Sequence, residues 1–257
     1  MIPLLAAYRR AVEEEHGRPL GAVHAGLTSQ DVMDTALALV VEDVRGMLLE
    51  GLDRTGDALV RLVVRHGGTV MVGRTLTQHA LPVSFGLKAA SWLAGVDDAA
   101  DDVAARAHLP VSFGGAAGSL AATVARCAHP GDTEERTWQR VKELLGYWAE
   151  ELGLRLPDGV WHTNRVPVLR VAGSLAETTA ALARMANDVL TMSRPEVGEV
   201  REPAAEGRGV SSAMPQKQNP VLSVLLKRTG IAATALLAQV AAGASAADDE
   251  RPDGGWH

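Results

Sequence analysis

Apolar positions recur along most of this chain at intervals of three, four and seven residues, the spacing of one face of an α-helix. Leu4, Leu5, Tyr8 and Val12 predict a short helix over residues 1–17. A loop follows over 18–30. From Asp31 to about His66 the stripe is long: Val32, Met33, Ala36, Leu37, Val40, Val41, Val44, Met47, Leu48, Leu52, Leu59 and Leu62. Gly51 and Gly56 are candidate bend points, and Gly67-Gly68 ends the pattern. Residues 69–80 read as a short polar, strand-like loop. A second long helix is predicted from about Leu81 to His108.

Leu109 to Ser119 holds Gly114, Gly115 and Gly118 and reads as a tight loop, with helix resuming to Ala128. Asp132 to Leu152 is predicted as a surface helix opened by an Asp132/Glu135 capping box. After a loop over 153–165, residues 166–194 return to helix, with Leu169, Leu175, Leu182, Met185 and Val189 as its stripe. Residues 195–219 are irregular. A last helix is predicted from Pro220 to about Ala247, with Asn219 as N-cap and Pro220 as first helical residue.

Composition points the same way. Of the 257 residues, 47% are hydrophobic and 4% aromatic, so the core is built from Ala, Leu and Val, a palette that favours packed helices over sheet. The predicted fold is all-α. Helices of about thirty residues outrun any small globular neighbour, which predicts an elongated bundle burying its remaining apolar faces against other subunits. The uncharged stretch from Thr229 to Ala247 approaches membrane-spanning length, but its Ala, Gly, Ser and Thr content predicts a buried bundle helix.

A formal net charge of -6 and the absence of a basic stripe argue against nucleic acid as a partner. An anionic ligand needs a local cluster of Lys and Arg against that field. Cys127 is the single cysteine, which excludes an intrachain disulfide and a Cys-rich metal site. Met1-Ile2-Pro3-Leu4-Leu5 lacks the charged start and long apolar run of a secretory signal.

Three polar loops sit at ends of long helices. In His24-Ala25-Gly26-Leu27-Thr28-Ser29-Gln30-Asp31, the donors Thr28, Ser29 and Gln30 precede a helix N-terminus, an arrangement suited either to an anion or to ordinary capping by Ser29 or Asp31. In Gly73-Arg74-Thr75-Leu76-Thr77-Gln78-His79-Ala80, Arg74 can pair bidentately with a carboxylate. His79 in the same loop can serve either as an acid/base or as a structural histidine. The run Gly209-Val210-Ser211-Ser212-Ala213-Met214-Pro215-Gln216-Lys217-Gln218-Asn219-Pro220 is too polar for core and too punctuated for helix. It presents Ser211 and Ser212 beside Lys217; a serine acting as a base needs a positive field to stabilise its alkoxide.

This last run resembles the SSxMPxKxNP signature of the fumarase/aspartase superfamily, whose members break or form bonds β to a carboxylate. Within it, Thr28-Ser29-Gln30-Asp31-Val32-Met33-Asp34-Thr35-Ala36, Gln78-His79-Ala80-Leu81-Pro82, Lys88-Ala89-Ala90-Ser91-Trp92-Leu93, Leu109 to Gly118 and Trp161-His162-Thr163-Asn164-Arg165 resemble the 3-carboxy-cis,cis-muconate cycloisomerase branch. Leu76 stands where fumarases carry a histidine. The resemblance covers essentially the whole chain. It implies an elongated helical bundle of the fumarase/aspartase type, assembling as a cytoplasmic homotetramer whose active sites combine loops of three subunits. The implied reaction is lactonisation of 3-carboxy-cis,cis-muconate through an aci-carboxylate intermediate, with no cofactor, no metal and no membrane partner.

Carried over by position, Ser211 transfers the proton and His79 is its acid/base partner or an orienter. Thr28 and Ser29 bind one carboxylate; Lys217 and Asn219 hold another; Arg74, Gln78, Arg165, Ser212 and Met214 complete the substrate contacts. His24 and His162 hold the loops.

The sequence departs from that pattern at Val210, in place of a small residue at a loop hinge, at Gln218, in place of an Arg, and at Val166, in place of an Asp. Measured against the resemblance, residues 1–20 read as the remnant of an N-terminal domain and 21–257 as the central bundle. The end at Trp256-His257 falls inside a Glu-Arg…Trp-His stretch, with the C-terminal domain apparently absent. The alternatives are an adenylosuccinate lyase-like C–N lyase and an inactive truncated homologue.

Overall fold

The computed structural model describes residues 2–245 and 249–251. The element order is α1 (Ile2–His16), α2 (Ser29–His66), β1 (Val70–Thr75), β2 (Gln78–Ser84), α3 (Phe85–Arg106), α4 (Ala121–Cys127), α5 (Glu134–Glu151), α6 (Val166–Met192) and α7 (Val221–Gly243). The fold is mostly helical, and the helix at 2–16, the glycine loop, and the irregular stretch before α7 lie where the periodicity puts them. α2 runs 38 residues without interruption, roughly 57 Å, through both Gly51 and Gly56. Residues 246–248 and 252–257, and with them Trp256-His257, lie outside the described residues.

The chain forms two compact units. One draws on the described residues of Met1–Asp43, His108–Val168 and Ala242–His257; the other comprises Val44–Ala107 and Leu169–Ala241.

In the first unit, Leu109, Val111, Phe113, Val141, Leu154 and Trp161 are buried. Phe113 meets Trp148 edge to face at 5.0 Å, which seats α5, and the Trp161 indole N–H donates to Val111 O at 2.9 Å. The start of α2 inverts the predicted pattern. Asp31, Asp34, Thr35 and Ala38, themselves at the 3, 4, 7 spacing, form its buried face. The apolar set Met33, Leu37 and Val40 is exposed. The stripe is real, but in this stretch the chain covers the polar side of the helix.

α5 starts later than predicted. Thr133, not Asp132, is its N-cap, with Oγ1 accepting from Arg136 N at 3.3 Å. The Asp132 carboxylate turns instead to Arg140, whose hydrogen bond holds its pKa at about 2, and to the amide of His129. A capping box and an Asx-type pairing use the same residue types, so sequence alone does not separate them.

In the second unit, Leu52 and Leu59 of α2, Met71 of β1, Ala89, Trp92, Val96 and Val103 of α3, Ala107 and Met192 form one apolar cluster. Leu182, Met185 and Val189 of α6 pack onto it. Each fully buried aliphatic side chain here contributes about 1.5–3 kcal/mol. The Trp92 indole N–H is satisfied by Asp188 at 2.8 Å.

The strand-like reading of 69–80 extends further than predicted, which corrects both the all-α assignment and the start of α3. β1 and β2 form an antiparallel hairpin with Thr75 opposite Gln78 and Val70 opposite Ser84, so residues 81–84 are strand and the helix begins at Phe85. Pro82 is tolerated because a two-stranded ribbon has only edge strands. A bulge between Val72 and Arg74 centres on Gly73, where a Cβ would come within 2.6 Å of Leu81 O.

The two-residue turn places Leu76 at φ 47° and Thr77 at φ 66°, left-handed backbone that favours Asn and Gly. Leu76 is 96% exposed and gains nothing by packing. The double substitution Leu76→Asn with Thr77→Gly relieves strain of about 1 kcal/mol or more, read as a rise of about 2–4 °C in Tm. An unchanged Tm would show that the hairpin tip does not limit stability.

α7 is long and apolar enough, by length and composition, to cross a membrane, yet Ser223 is the one residue of it that is buried among the described residues. The expectation of a buried helix is therefore not met among the described residues. Leu222, Val224, Leu225, Ile231 and Leu236 are all exposed there.

Candidate active site

The first loop is built around a carboxylate. Asp31 opens α2 fully buried, and its two oxygens take five donors. Oδ1 accepts from Gly114 N at 2.7 Å, His162 Nε2 at 2.6 Å and Ser112 Oγ at 3.3 Å; Oδ2 accepts from Thr28 N at 2.8 Å and Gly115 N at 3.0 Å. Burial pushes the Asp31 carboxyl up, but the His162 hydrogen bond and the three amides outweigh it and hold the group below its ordinary value of 3.8.

One turn further on, Asp34 takes both guanidinium nitrogens of Arg165, at 2.8 and 2.9 Å, with the Arg165 carbon 5.1 Å from the Trp161 ring. Arg165 is thus committed to a buried partner. Thr28 is buried with its amide tied to Asp31, while Ser29 is half-buried and its Oγ accepts from Arg251 Nη2 at 3.4 Å.

The second loop is the hairpin. Arg74 Nη1 and Nη2 donate to the two carboxylate oxygens of Glu199, both at 2.8 Å, and that bond raises the Arg74 pKa. Arg74 is therefore held by an internal carboxylate. His79 stands opposite Arg74 in the ladder and is exposed. Gln78, also exposed, reaches the Thr77 hydroxyl at 3.5 Å.

The third loop is closed at its neck. Val210 bridges Gln218; Asn219 N and Nδ2 donate to Gly209 O at 2.8 and 3.1 Å; Gln218 Nε2 donates to Arg208 O at 3.0 Å. Gly209, at φ 75°, allows this closure, since a Cβ would lie 2.5 Å from Asn219 O. The left-handed residue at the neck is thus Gly209. Val210 is not among the positive-φ residues and its branch points outward, 66% exposed, so the expected hinge effect of a branched residue there does not arise.

Inside the loop, Ser211 Oγ accepts from Met214 N at 3.2 Å and Ala213 N at 3.4 Å. Ser212, Met214 and Lys217 are exposed, and among the described residues the Lys217 ammonium has no hydrogen-bond or ion-pair partner. No hydrogen bond joins His79 to Ser211 among the described residues.

The Asn219 side chain does not cap α7. The free amides of its first turn go to the Glu202 carboxylate: Oε1 accepts from Ser223 N at 2.7 Å and Ser223 Oγ at 2.6 Å, and Oε2 from Leu222 N at 3.3 Å. Burial pushes the Glu202 carboxyl up, but the Ser223 donors and Leu222 N, with Arg208, bring it below its ordinary 4.5.

Both Asp31 and Glu202 are lowered, so each adds stability in full above its ordinary pKa and loses it as pH falls through the lower folded value. The urea midpoint should be flat at neutral pH and fall below about pH 4.5, less steeply in Asp31→Asn; parallel curves for the two proteins would sink the assignment.

Sequence reasoning missed Asp34, Glu199, Glu202 and Arg251. Asp31 and Asp34 carried a signal, since two carboxylates with Thr35 at helical spacing form a face. Glu199 and Glu202 carried none, because their partners are 125 and 21 residues away.

Residues 4–235 match the family described as "Lyase". The chain belongs to this lyase family. It is part of the fumarase/aspartase superfamily. Over 91% of its length the chain is 45% identical to a nitrosuccinate lyase of Streptomyces davaonensis, covering 48% of that protein. Over its full length it is 38% identical to a 3-carboxy-cis,cis-muconate cycloisomerase of Bradyrhizobium diazoefficiens, covering 54% of it. The crystal structure of the 3-carboxy-cis,cis-muconate lactonizing enzyme from Pseudomonas putida superposes on the whole chain with a TM-score of 0.83 at 33% identity, with 54% of that structure covered. This lyase-family chain spans about half the length of the curated relatives it matches.

Proposed function

We propose that the chain carries out addition and elimination β to a carboxylate, as a 3-carboxy-cis,cis-muconate cycloisomerase. The observation that carries this reading is Ser211. Its Oγ already accepts two backbone N–H groups, from Ala213 and Met214, inside a loop that also offers the Lys217 ammonium, which has no partner among the described residues. Donors aimed at that oxygen stabilise an alkoxide, which is the cost a serine base has to meet.

In the lactonising direction a substrate carboxylate oxygen adds to the β carbon of the C=C bond. The electron pair moves onto the α carboxylate as an aci-carboxylate, and the α carbon then takes a proton from Ser211. In the reverse direction the Ser211 alkoxide removes that proton and the carboxylate oxygen leaves. Thr28 and Ser29 take one carboxylate and Lys217 another, with Gln78, Ser212, Met214 and Asn219 around them. His79 exchanges protons with solvent or orients the substrate. Arg74 and Arg165 act through their carboxylate partners rather than on substrate.

The working form is a cytoplasmic homotetramer in which loops of different copies meet. The outward apolar faces of α2 and α7 support this.

The greater identity to a nitrosuccinate lyase supports a second reading, a C–N lyase acting on nitrosuccinate with the same serine base. Purified chain is mixed in parallel with 3-carboxy-cis,cis-muconate, nitrosuccinate and adenylosuccinate, and ultraviolet absorbance is followed. Loss of the muconate band is the expected result. Turnover of nitrosuccinate or adenylosuccinate alone assigns the chain to that C–N lyase instead. Silence on all three from folded chain overturns the reading that this chain is active by itself.

A further inference from the structure

We propose that the buried Asp31–His162 pair is a positioning device that holds the Thr28–Ser29 donors ready for a substrate carboxylate. It rests on the polycarboxylate reading above.

Residue 162 grips the first turn of α2 at two points. Its ring Nε2 lies 2.6 Å from Asp31 Oδ1, and its carbonyl accepts from Gln30 Nε2 at 2.8 Å. Gln30 Nε2 also reaches Asp34 Oδ2 at 3.3 Å. The residues between these grips and the incoming chain are Thr28, whose amide is on Asp31 Oδ2, and Ser29.

Every other partner of Asp31 is a donor, so the carboxylate is ionised and the imidazole donates Nε2–H to it. Nε2 therefore bears a hydrogen. Nδ1 is buried and has no partner among the described residues, so no second hydrogen bond orients the ring. Its place is set by Asp31 and by shape: a Cβ on Gly114 would fall 2.6 Å from the ring Cε1 and from Val160 Cγ1.

His162 is 1% exposed, so its effect on a substrate runs through Asp31 and Gln30. A ring in this position changes how well a carboxylate is held, not the proton transfer itself. What Asp31 requires of residue 162 is a donor at the Nε2 position, and Gln carries an N–H the same number of bonds from Cβ.

The test uses three readouts on the full chain. In 15N-histidine spectra of the wild type, His162 should appear as the Nε2–H tautomer with a proton slow to exchange. In titration calorimetry with tricarballylate, an unreactive tricarboxylate, His162→Gln should bind within about threefold of wild type and His162→Leu at least about tenfold more weakly. In turnover, His162→Leu should raise KM about tenfold with kcat within threefold. A purely structural role would move Tm and kcat together and would not be rescued by Gln.

An Nδ1–H tautomer, wild-type affinity in His162→Leu, or equal losses in Gln and Leu each overturn the proposal. The spectra decide the tautomer even if His162→Leu fails to fold. Wild-type chain that neither binds tricarballylate nor turns over any substrate overturns the polycarboxylate reading, and this proposal with it. Wild-type binding unchanged in His162→Leu overturns the positioning role alone.

Discussion

Ser211→Ala should lower turnover by about 10³-fold while leaving KM within a few-fold. The serine is the one hydroxyl in the signature loop whose oxygen is held by two amides, those of Ala213 and Met214. Removing it takes away the atom that exchanges the proton and leaves the rest of the loop standing, because closure at the neck depends on Gly209, Gln218 and Asn219. The exposed Ser212, one residue on, has no such donors and should cost less than about tenfold when changed to Ala. Steady-state kinetics on the substrate that the parallel assays identify makes the comparison. If Ser211→Ala keeps more than a tenth of the activity, the base is elsewhere, and His79→Gln becomes the decisive variant.

The second large effect is on stability. Arg165→Leu should cost about 3–5 kcal/mol, since it strands the Asp34 carboxylate in a site where both partners are almost fully buried. At about 2–4 °C per kcal/mol, Tm should fall by about 10 °C. The double change Arg165→Leu with Asp34→Leu removes both charges and should recover most of that loss. Urea unfolding at neutral pH reads both values. A single variant within about 1 kcal/mol of wild type would show that water reaches Asp34. The outcome also bears on function, because a guanidinium spent on Asp34 is not available to a substrate carboxylate.

The helices were legible because their signal is local and repeated. The long stripes of α2 and α6 and the Gly67-Gly68 stop needed no knowledge of partners. The hairpin was only half legible: its turn is Leu76-Thr77, not Asn-Gly, and the strand Gln78–Ser84 contains Pro82 and reads as the approach to a helix. Helix caps failed where the capping group comes from elsewhere in the chain, as Glu202 does for α7. Which side of α2 is covered was not legible either. An apolar stripe says that a face seeks burial but not where the covering surface comes from, and at Asp31, Asp34 and Thr35 the chain's own loops cover the polar side. The candidate site was legible as motifs; that Arg74 and Arg165 are already paired was not.

The lock on the first turn of α2 also has a bearing on the order in which the chain folds. The middle of α2 needs only its own residues to start and extend. Its first two turns are sealed by Ser112, Gly114, His162 and Arg165, which lie 77 to 132 residues away in sequence. Contacts of that separation carry a high loop-closure cost and form late. The donor-bearing end of the helix is therefore the last part of it to become fixed, and its amides should gain protection from hydrogen exchange only after the centre of the helix has done so.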